Sequence, residues 1–211
     1  MTLRPGDRDV LLVVDLQNDF LPGGALAVPE GDAIVRPINA LAQRFAHVVL
    51  TQDWHPAGHL SFASSHAGRA PFSMITLDYG AQVLWPDHCV QGTRGAEFSA
   101  LLDIPHAELV VRKGYRRSID SYSAFVEADG RTRTGLAGYL RERGFTRVFL
   151  AGLATDFCVA YSAVDARSAG FEPVVVEDAC RAIDTGGSLA SAWTRMQDAG
   201  VVRSSLAALR P

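Results

Sequence analysis

Cysteine is scarce in this chain of 211 residues, which holds only Cys89, Cys158 and Cys180. An odd and sparse set excludes a disulfide framework and fits a reducing compartment. Long hydrophobic runs are missing too. No stretch nears the ~20 apolar residues of a membrane span. The opening MTLRPGDRDV lacks the apolar core of a secretory leader. These absences predict a cytoplasmic protein with no membrane association. Excess positive charge is also absent. A formal net charge of −3 gives no electrostatic basis for binding nucleic acid. No internal repeat or low-complexity tract is present, which excludes a solenoid. The remaining composition, 48% hydrophobic, suits one domain over residues 1–211 with a sizeable core.

Five short runs rich in Val and Leu stand out: VLLVV (10–14), HVVLT (47–51), ELVVR (108–112), RVFLA (147–151) and EPVVVE (172–177). Such nearly continuous apolar runs predict strands buried on both faces. VVRSS (201–205) predicts a short sixth strand. Helical patterns fall at 33–46, 134–144, 157–170 and 187–200, the last three closing near a glycine. Strands alternating with helices predict an α/β fold: three layers, αβα, around a mostly parallel six-stranded sheet. Residues 15–32 and 54–95 show no clear period. A loop as long as the second, inside a compact domain, is usually functional.

Polar groups follow the apolar runs. Asp15 follows VLLVV, Asp53 follows VVLTQ, Lys113 follows LVVR, and Asp156 and Cys158 follow FLAGLAT. In a parallel sheet these ends share one rim, where open α/β sheets bind ligands. Cys158 also falls in the first turn of a helix, where unpaired N–H groups favour a thiolate. Taken alone, Cys158 reads as an ordinary small buried residue. Acid, amine and thiol delivered to one rim favour a nucleophile.

In DWH, Asp53 and His55 lie two residues apart and share one side of an extended segment. They offer an oxygen and a nitrogen to a cation. His88 of WPDHCV is the candidate third ligand. Carboxylate with imidazoles suits Zn, and also Mn or Fe. His59 is either a fourth ligand or a group that supports the other ligands. His47, His66 and His106 read as surface or packing residues. Cys89 and Cys180 read as structural.

The segments VVDLQNDFLPGGALAV, TQDWHPAGHLSFASSH, LWPDHCVQGTRGAEF, VRKGYRRSIDSYSAF and AGLATDFCVAYSAVDARSAGF cover most of the chain. Their combination resembles the nicotinamidases of the isochorismatase-like cysteine hydrolase superfamily, whose fold is Rossmann-like. The resemblance implies a catalytic triad of Asp15, Lys113 and Cys158. It implies metal ligands Asp53, His55 and His88, with His59 nearby. It implies a cis peptide between Leu153 and Ala154, turning the N–H of Ala154 toward that of Cys158 to form an oxyanion hole. It further implies a ring pocket of Phe20, Leu26, Trp85 and Tyr122. Arg116-Arg117-Ser118 departs from the family pattern, which points to altered substrate preference or assembly.

The activity so implied is hydrolysis of nicotinamide to nicotinate and ammonia through a thioester, in NAD salvage, with pyrazinamide as a second substrate. The cofactor is one divalent ion, Zn first, and the partner a small molecule, with a homo-oligomer as the assembly. Two alternatives stand beside it. A cysteine amidase for a carbamoyl or ureido compound would share the triad without needing Asp53, His55 and His88 as a set. A non-catalytic, metal-stabilised binding or interaction protein on the same scaffold would not need the intact triad.

Overall fold

The computed structural model describes residues 3–209. Six parallel strands form the central sheet: β1 (Asp9–Val14), β2 (Val48–Asp53), β5 (Ala107–Lys113), β6 (Arg147–Leu153), β7 (Glu172–Arg181) and β8 (Val202–Ser204), in the order β5-β2-β1-β6-β7-β8. Four helices accompany them: α1 (Val35–Ala42), α2 (Leu136–Glu142), α3 (Ala160–Ser168) and α4 (Ser188–Asp198). All four lie inside the segments that the sequence pattern marks as helical.

Alternation along the strands splits the core in two. Leu11 and Val13 of β1 pack with Phe149 and Ala151 of β6 and with Val35, Ile38 and Leu41 of α1. Val10, Leu12 and Val14 face the other way, toward Leu136 and Leu140 of α2, Ala163 of α3 and Met196 of α4. The central strands are therefore covered on both sides, as their unbroken Val/Leu composition requires.

Strand β5 departs from that expectation. Its residues alternate, with Glu108, Val110 and Arg112 exposed. As the edge strand it has a hydrogen-bonding neighbour on one side only, and one of its faces is exposed. Strand β7 runs on to Arg181, beyond the expected end at 177. Cys180 therefore sits inside it, buried, with its thiol donating to the Val176 carbonyl at 3.3 Å. The long irregular stretch contains an antiparallel hairpin, β3 (Met74–Leu77) and β4 (Gly80–Val83), which the sequence pattern does not show. Its strands are four residues long and mostly half-exposed, so no apolar run marks them.

The chain leaves β1 toward β2 and β5, then returns to the other side of β1 for β6. The order thus reverses between β1 and β6, and ligand crevices form at such points. Close approach there requires glycine at 152: its φ is +129°, and a Cβ would fall 2.1 Å from the Val14 carbonyl oxygen. Gly152→Ala is expected to cost about 2–4 kcal/mol, from overpacking and a disfavoured backbone. Chemical denaturation of the two proteins measures it, and equal stabilities would contradict the packing described here.

Candidate active site

Four polar side chains meet above the rim at that crevice. Asp15 follows β1 in a left-handed conformation, φ +50°. Lys113 ends β5, and the β2–β5 register sets it beside Asp53, the last residue of β2. Cys158 lies in a π-helical turn, Thr155–Val159, between β6 and α3. Lys113 Nζ stands 2.8 Å from Asp15 Oδ2 and donates to Asp53 Oδ1 at 2.6 Å. It also reaches the Ser121 carbonyl at 3.1 Å and Cys158 Sγ at 3.3 Å. Thr51 Oγ1 donates to Asp15 Oδ1 at 2.6 Å and accepts from the Asp15 N–H, fixing the carboxylate. Asp15 Oδ2 makes no aligned hydrogen bond, although it is buried. Its ion-pair partner is the Lys113 ammonium, and its remaining lone pair can take a proton from the neighbouring thiol.

The electrostatics follow from burial. It pushes the Asp15 carboxyl above its ordinary range, against the pull of Lys113, and Asp53 adds to the rise. It also pushes the Cys158 thiol well up, again opposed by Lys113. Burial alone would lower Lys113, but Asp15 and Asp53 outweigh it and hold the ammonium charged. Burial alone would raise Asp53, but Lys113 and His55 hold it well below the usual carboxylate range. Cys158 thus rests as a thiol beside a carboxylate of raised basicity, an arrangement suited to general-base activation of a nucleophile.

Asp53 turns its other oxygen to two histidines. His55 Nε2 lies 3.6 Å and His88 Nε2 3.8 Å from Asp53 Oδ2. The backbone brings them together: the His55 N–H donates to the Cys89 carbonyl, and the Gln91 N–H to that of His55. Each histidine donates its Nδ1–H to a carbonyl, Gly114 for His55 and Pro86 for His88, at 2.9 and 2.8 Å. A carbonyl can only accept, so in the neutral imidazoles both Nε2 atoms carry lone pairs. Two lone pairs and a carboxylate oxygen facing one another repel unless a cation lies among them. The residues therefore fit a divalent metal ion. Gly114 makes room for this: with φ +64°, a Cβ there would fall 2.4 Å from the His55 ring.

His59 uses both its nitrogens elsewhere. Nδ1 accepts from the Ser61 N–H at 3.2 Å, and Nε2 donates to the Ile119 carbonyl at 3.2 Å. Its ring packs 4.4 Å from that of His55, centroid to centroid. As placed it has no lone pair left for an ion and supports His55. Arg117 buttresses the same loop, since its Nε donates to the Gly58 carbonyl and its own carbonyl accepts the Leu60 N–H.

Phe20, Leu26, Trp85 and Tyr122 line one narrow, mostly apolar pocket with Ala154, Cys158 and the Asp53/His55/His88 cluster. The Leu153–Ala154 peptide is cis. Trp85 packs edge-on to Phe157 at 4.9 Å, and its Nε1 donates to the Tyr122 hydroxyl at 3.0 Å. Phe157, Ile183 and Asp120 complete the wall, and sequence reasoning missed all three. It also missed Gln17, whose amide holds the Asp53 backbone at both ends, through its N–H and its carbonyl. Gln17 lies among polar residues, Asp15, Asn18 and Asp19, so nothing in the sequence set it apart.

The isochorismatase domain model matches residues 9–208. A nicotinamidase of Acinetobacter baylyi is 55% identical over 205 residues, covering 97% of this chain and 96% of that protein. The solved nicotinamidase/pyrazinamidase of Acinetobacter baumanii superposes with a TM-score of 0.94 at 57% identity, covering 95% of this chain and 97% of that one. A pyrazinamidase of Pyrococcus horikoshii, solved in complex with zinc, gives a TM-score of 0.78 at 35% identity over 94% of this chain and 99% of that one. The chain belongs to the isochorismatase domain family.

Metal analysis of purified variants tests the ligand geometry. His55→Ala and His88→Ala are expected to lose nearly all bound metal. His59→Ala is expected to bind it with affinity weaker by about 10–100-fold, as for a residue that supports a ligand. Full metal loss in the His59 variant at saturating metal would make His59 a direct ligand.

Proposed function

We propose that this protein is a nicotinamidase: a metal-dependent cysteine amidohydrolase that converts nicotinamide to nicotinate and ammonia. The observation that carries the reading is the position of Lys113. One ammonium contacts the nucleophile candidate Cys158, the base candidate Asp15 and the ligand candidate Asp53. Nucleophile and metal cluster therefore open into one pocket that accepts a flat ring. The names of the Acinetobacter relatives support the same activity.

In this reading Asp15 takes the Cys158 proton, and Sγ attacks the carboxamide carbon. The developing oxyanion is held by the N–H groups of Ala154 and Cys158. Asp15 then returns the proton to the leaving nitrogen, and ammonia departs from a thioester. Water, deprotonated by Asp15, attacks the thioester. Nicotinate is released and the thiol restored. Lys113 stays charged and steadies both anions. Trp85, Phe157, Tyr122, Phe20 and Leu26 hold the ring and exclude water. Asp53, His55 and His88 would hold the metal ion, which when bound supplies a Lewis acid for the ring nitrogen. Zinc suits this donor set and is the ion of the Pyrococcus relative; Mn and Fe share the preference.

The same reading gives pyrazinamide as a second substrate, because it shares the ring and carboxamide. It assigns residues 1–211 to one domain and places the enzyme in the cytoplasm, in NAD salvage, with a homo-oligomer as the assembly. No helix among the described residues is long and apolar enough to cross a membrane. The carbamoyl or ureido alternative leaves the two opposed imidazole lone pairs without a purpose.

Ammonia release from nicotinamide tests the reading. The native enzyme is expected to be active, to lose activity on metal stripping and to regain it with added Zn, Mn or Fe. Cys158→Ala is expected to reduce kcat by about 10⁴-fold or more with the fold intact. Substantial residual turnover in that variant would remove the thioester. No release from folded, metal-loaded protein would redirect the search to carbamoyl and ureido compounds.

A further inference from the structure

Asp156 stands two residues before Cys158 in the same turn, yet its carboxylate does not join the Lys113 cluster. It is buried, 3% exposed. Oδ1 accepts the Ile183 N–H at 3.1 Å. Oδ2 accepts the Asp184 N–H at 2.9 Å and the Ser188 hydroxyl. Ile183 and Asp184 lie in the segment that joins β7 to α4, and Ser188 opens α4. Ile183 in turn lines the pocket with Ala154 and Cys158. One side chain thus ties the turn that carries the thiol to another part of the pocket wall.

Apart from Ile183, which packs on the hydrophobic core, the joining segment is held mainly by bonds within itself and to the start of α4. Asp184, Gly186 and Gly187 are all left-handed, with φ of +51°, +58° and +79°. Its other side-chain bonds are local: Ser188 Oγ accepts the Thr185 N–H, and Asp184 Oδ1 accepts the Leu189 N–H. An ionised carboxylate is acceptor-only, which matches three converging donors. Such charge-assisted bonds are roughly twice as strong as neutral ones. The start of α4 adds a favourable positive field. Asparagine would keep the shape but turn an NH₂ group against the Asp184 N–H.

We propose that Asp156 is a positioning residue that sets the width of the ring pocket by locking Ile183 to the nucleophile turn. It touches neither substrate nor reacting atoms and acts through Ile183. The assignment rests on the nicotinamidase reading and concerns ring binding, so it separates from the chemistry of Cys158.

The experiment compares the metal-loaded native enzyme, Asp156→Asn and Ser188→Ala for KM and kcat with nicotinamide. Peptide mapping follows iodoacetamide labelling of Cys158 in each. Asp156→Asn is expected to raise KM about 10-fold or more, with kcat changed less than about 3-fold. The rate of Cys158 labelling is not expected to fall. Ser188→Ala, which removes one donor and keeps the carboxylate, is expected to raise KM by about 2–3-fold. Unchanged KM in a folded Asp156→Asn variant overturns the proposal. So does a fall in kcat and labelling together at constant KM, which would place the effect on the nucleophile itself. If Asp156→Asn does not fold, the Ser188→Ala result decides, and unchanged KM there overturns it. A native enzyme without turnover would remove the nicotinamidase reading and this assignment with it. An active native enzyme with unshifted variants removes only the assignment.

Discussion

A buried ammonium organises this site. Lys113 has no solvent exposure, and taking such a charge out of water costs several kcal/mol. Two carboxylates, a carbonyl and a sulfur surround Nζ and offset that cost. Each partner comes from a different part of the chain: Asp15 after β1, Asp53 at the end of β2, Ser121 in the loop after β5, Cys158 after β6. The ammonium therefore defines where four segments must meet. It also explains why an edge strand matters. β5 is half-exposed and contributes modestly to the core, but its register with β2 sets Lys113 beside Asp53.

Asp53 divides its charge between two tasks. Oδ1 faces Lys113, and Oδ2 faces His55 and His88. Its field raises both Asp15 and Cys158, the two groups that exchange a proton in the proposed reaction. Thiol activation and metal affinity are thus joined at one carboxylate, not merely adjacent in space. The Gln17 amide, clamped on the Asp53 backbone, protects both at once. A polar side chain fully buried in a rim loop is justified by that double dependence.

Much of this was legible before any coordinates. Central strands reveal themselves because burial on both faces demands unbroken apolar runs, and the polar residue that ends each run marks the rim. The hairpin was invisible for the opposite reason: Met74–Leu77 and Gly80–Val83 bury little, so composition carries no trace of them. ELVVR looked fully buried because its valines mimic a central strand. Only the sheet order shows that Val110 faces outward. Asp120 and Ile183 reach the pocket from loops and Phe157 from the single π-helical turn, and such segments carry no period from which convergence is readable. Asp156 was visible as a rim acid, but its partners are 27 to 32 residues away. The direction of a side chain over that span depends on the packing of β7 and α4, which sequence spacing does not encode.

The two halves of the site rest on different supports. Asp53 and Lys113 end paired strands, Asp15 directly follows one, and Cys158 sits in the helical turn that follows β6. Phe20, Leu26, Trp85, Tyr122 and Ile183, which frame the ring, all come from connecting segments. Groups that must keep their separations through bond making and breaking benefit from the stiffer support. Groups that select a shape tolerate variation, and loops supply it. Exchanging loop residues on such a frame changes what enters without disturbing how it is cleaved. Members of one fold family can therefore share a nucleophile and differ in substrate. In this chain the selecting half is bound to the cleaving half at Asp156, whose carboxylate reaches from the nucleophile turn to the pocket wall. Trp85 and Tyr122 also pack on Phe157 of that turn, so the two halves touch through apolar rings as well as through this polar bridge.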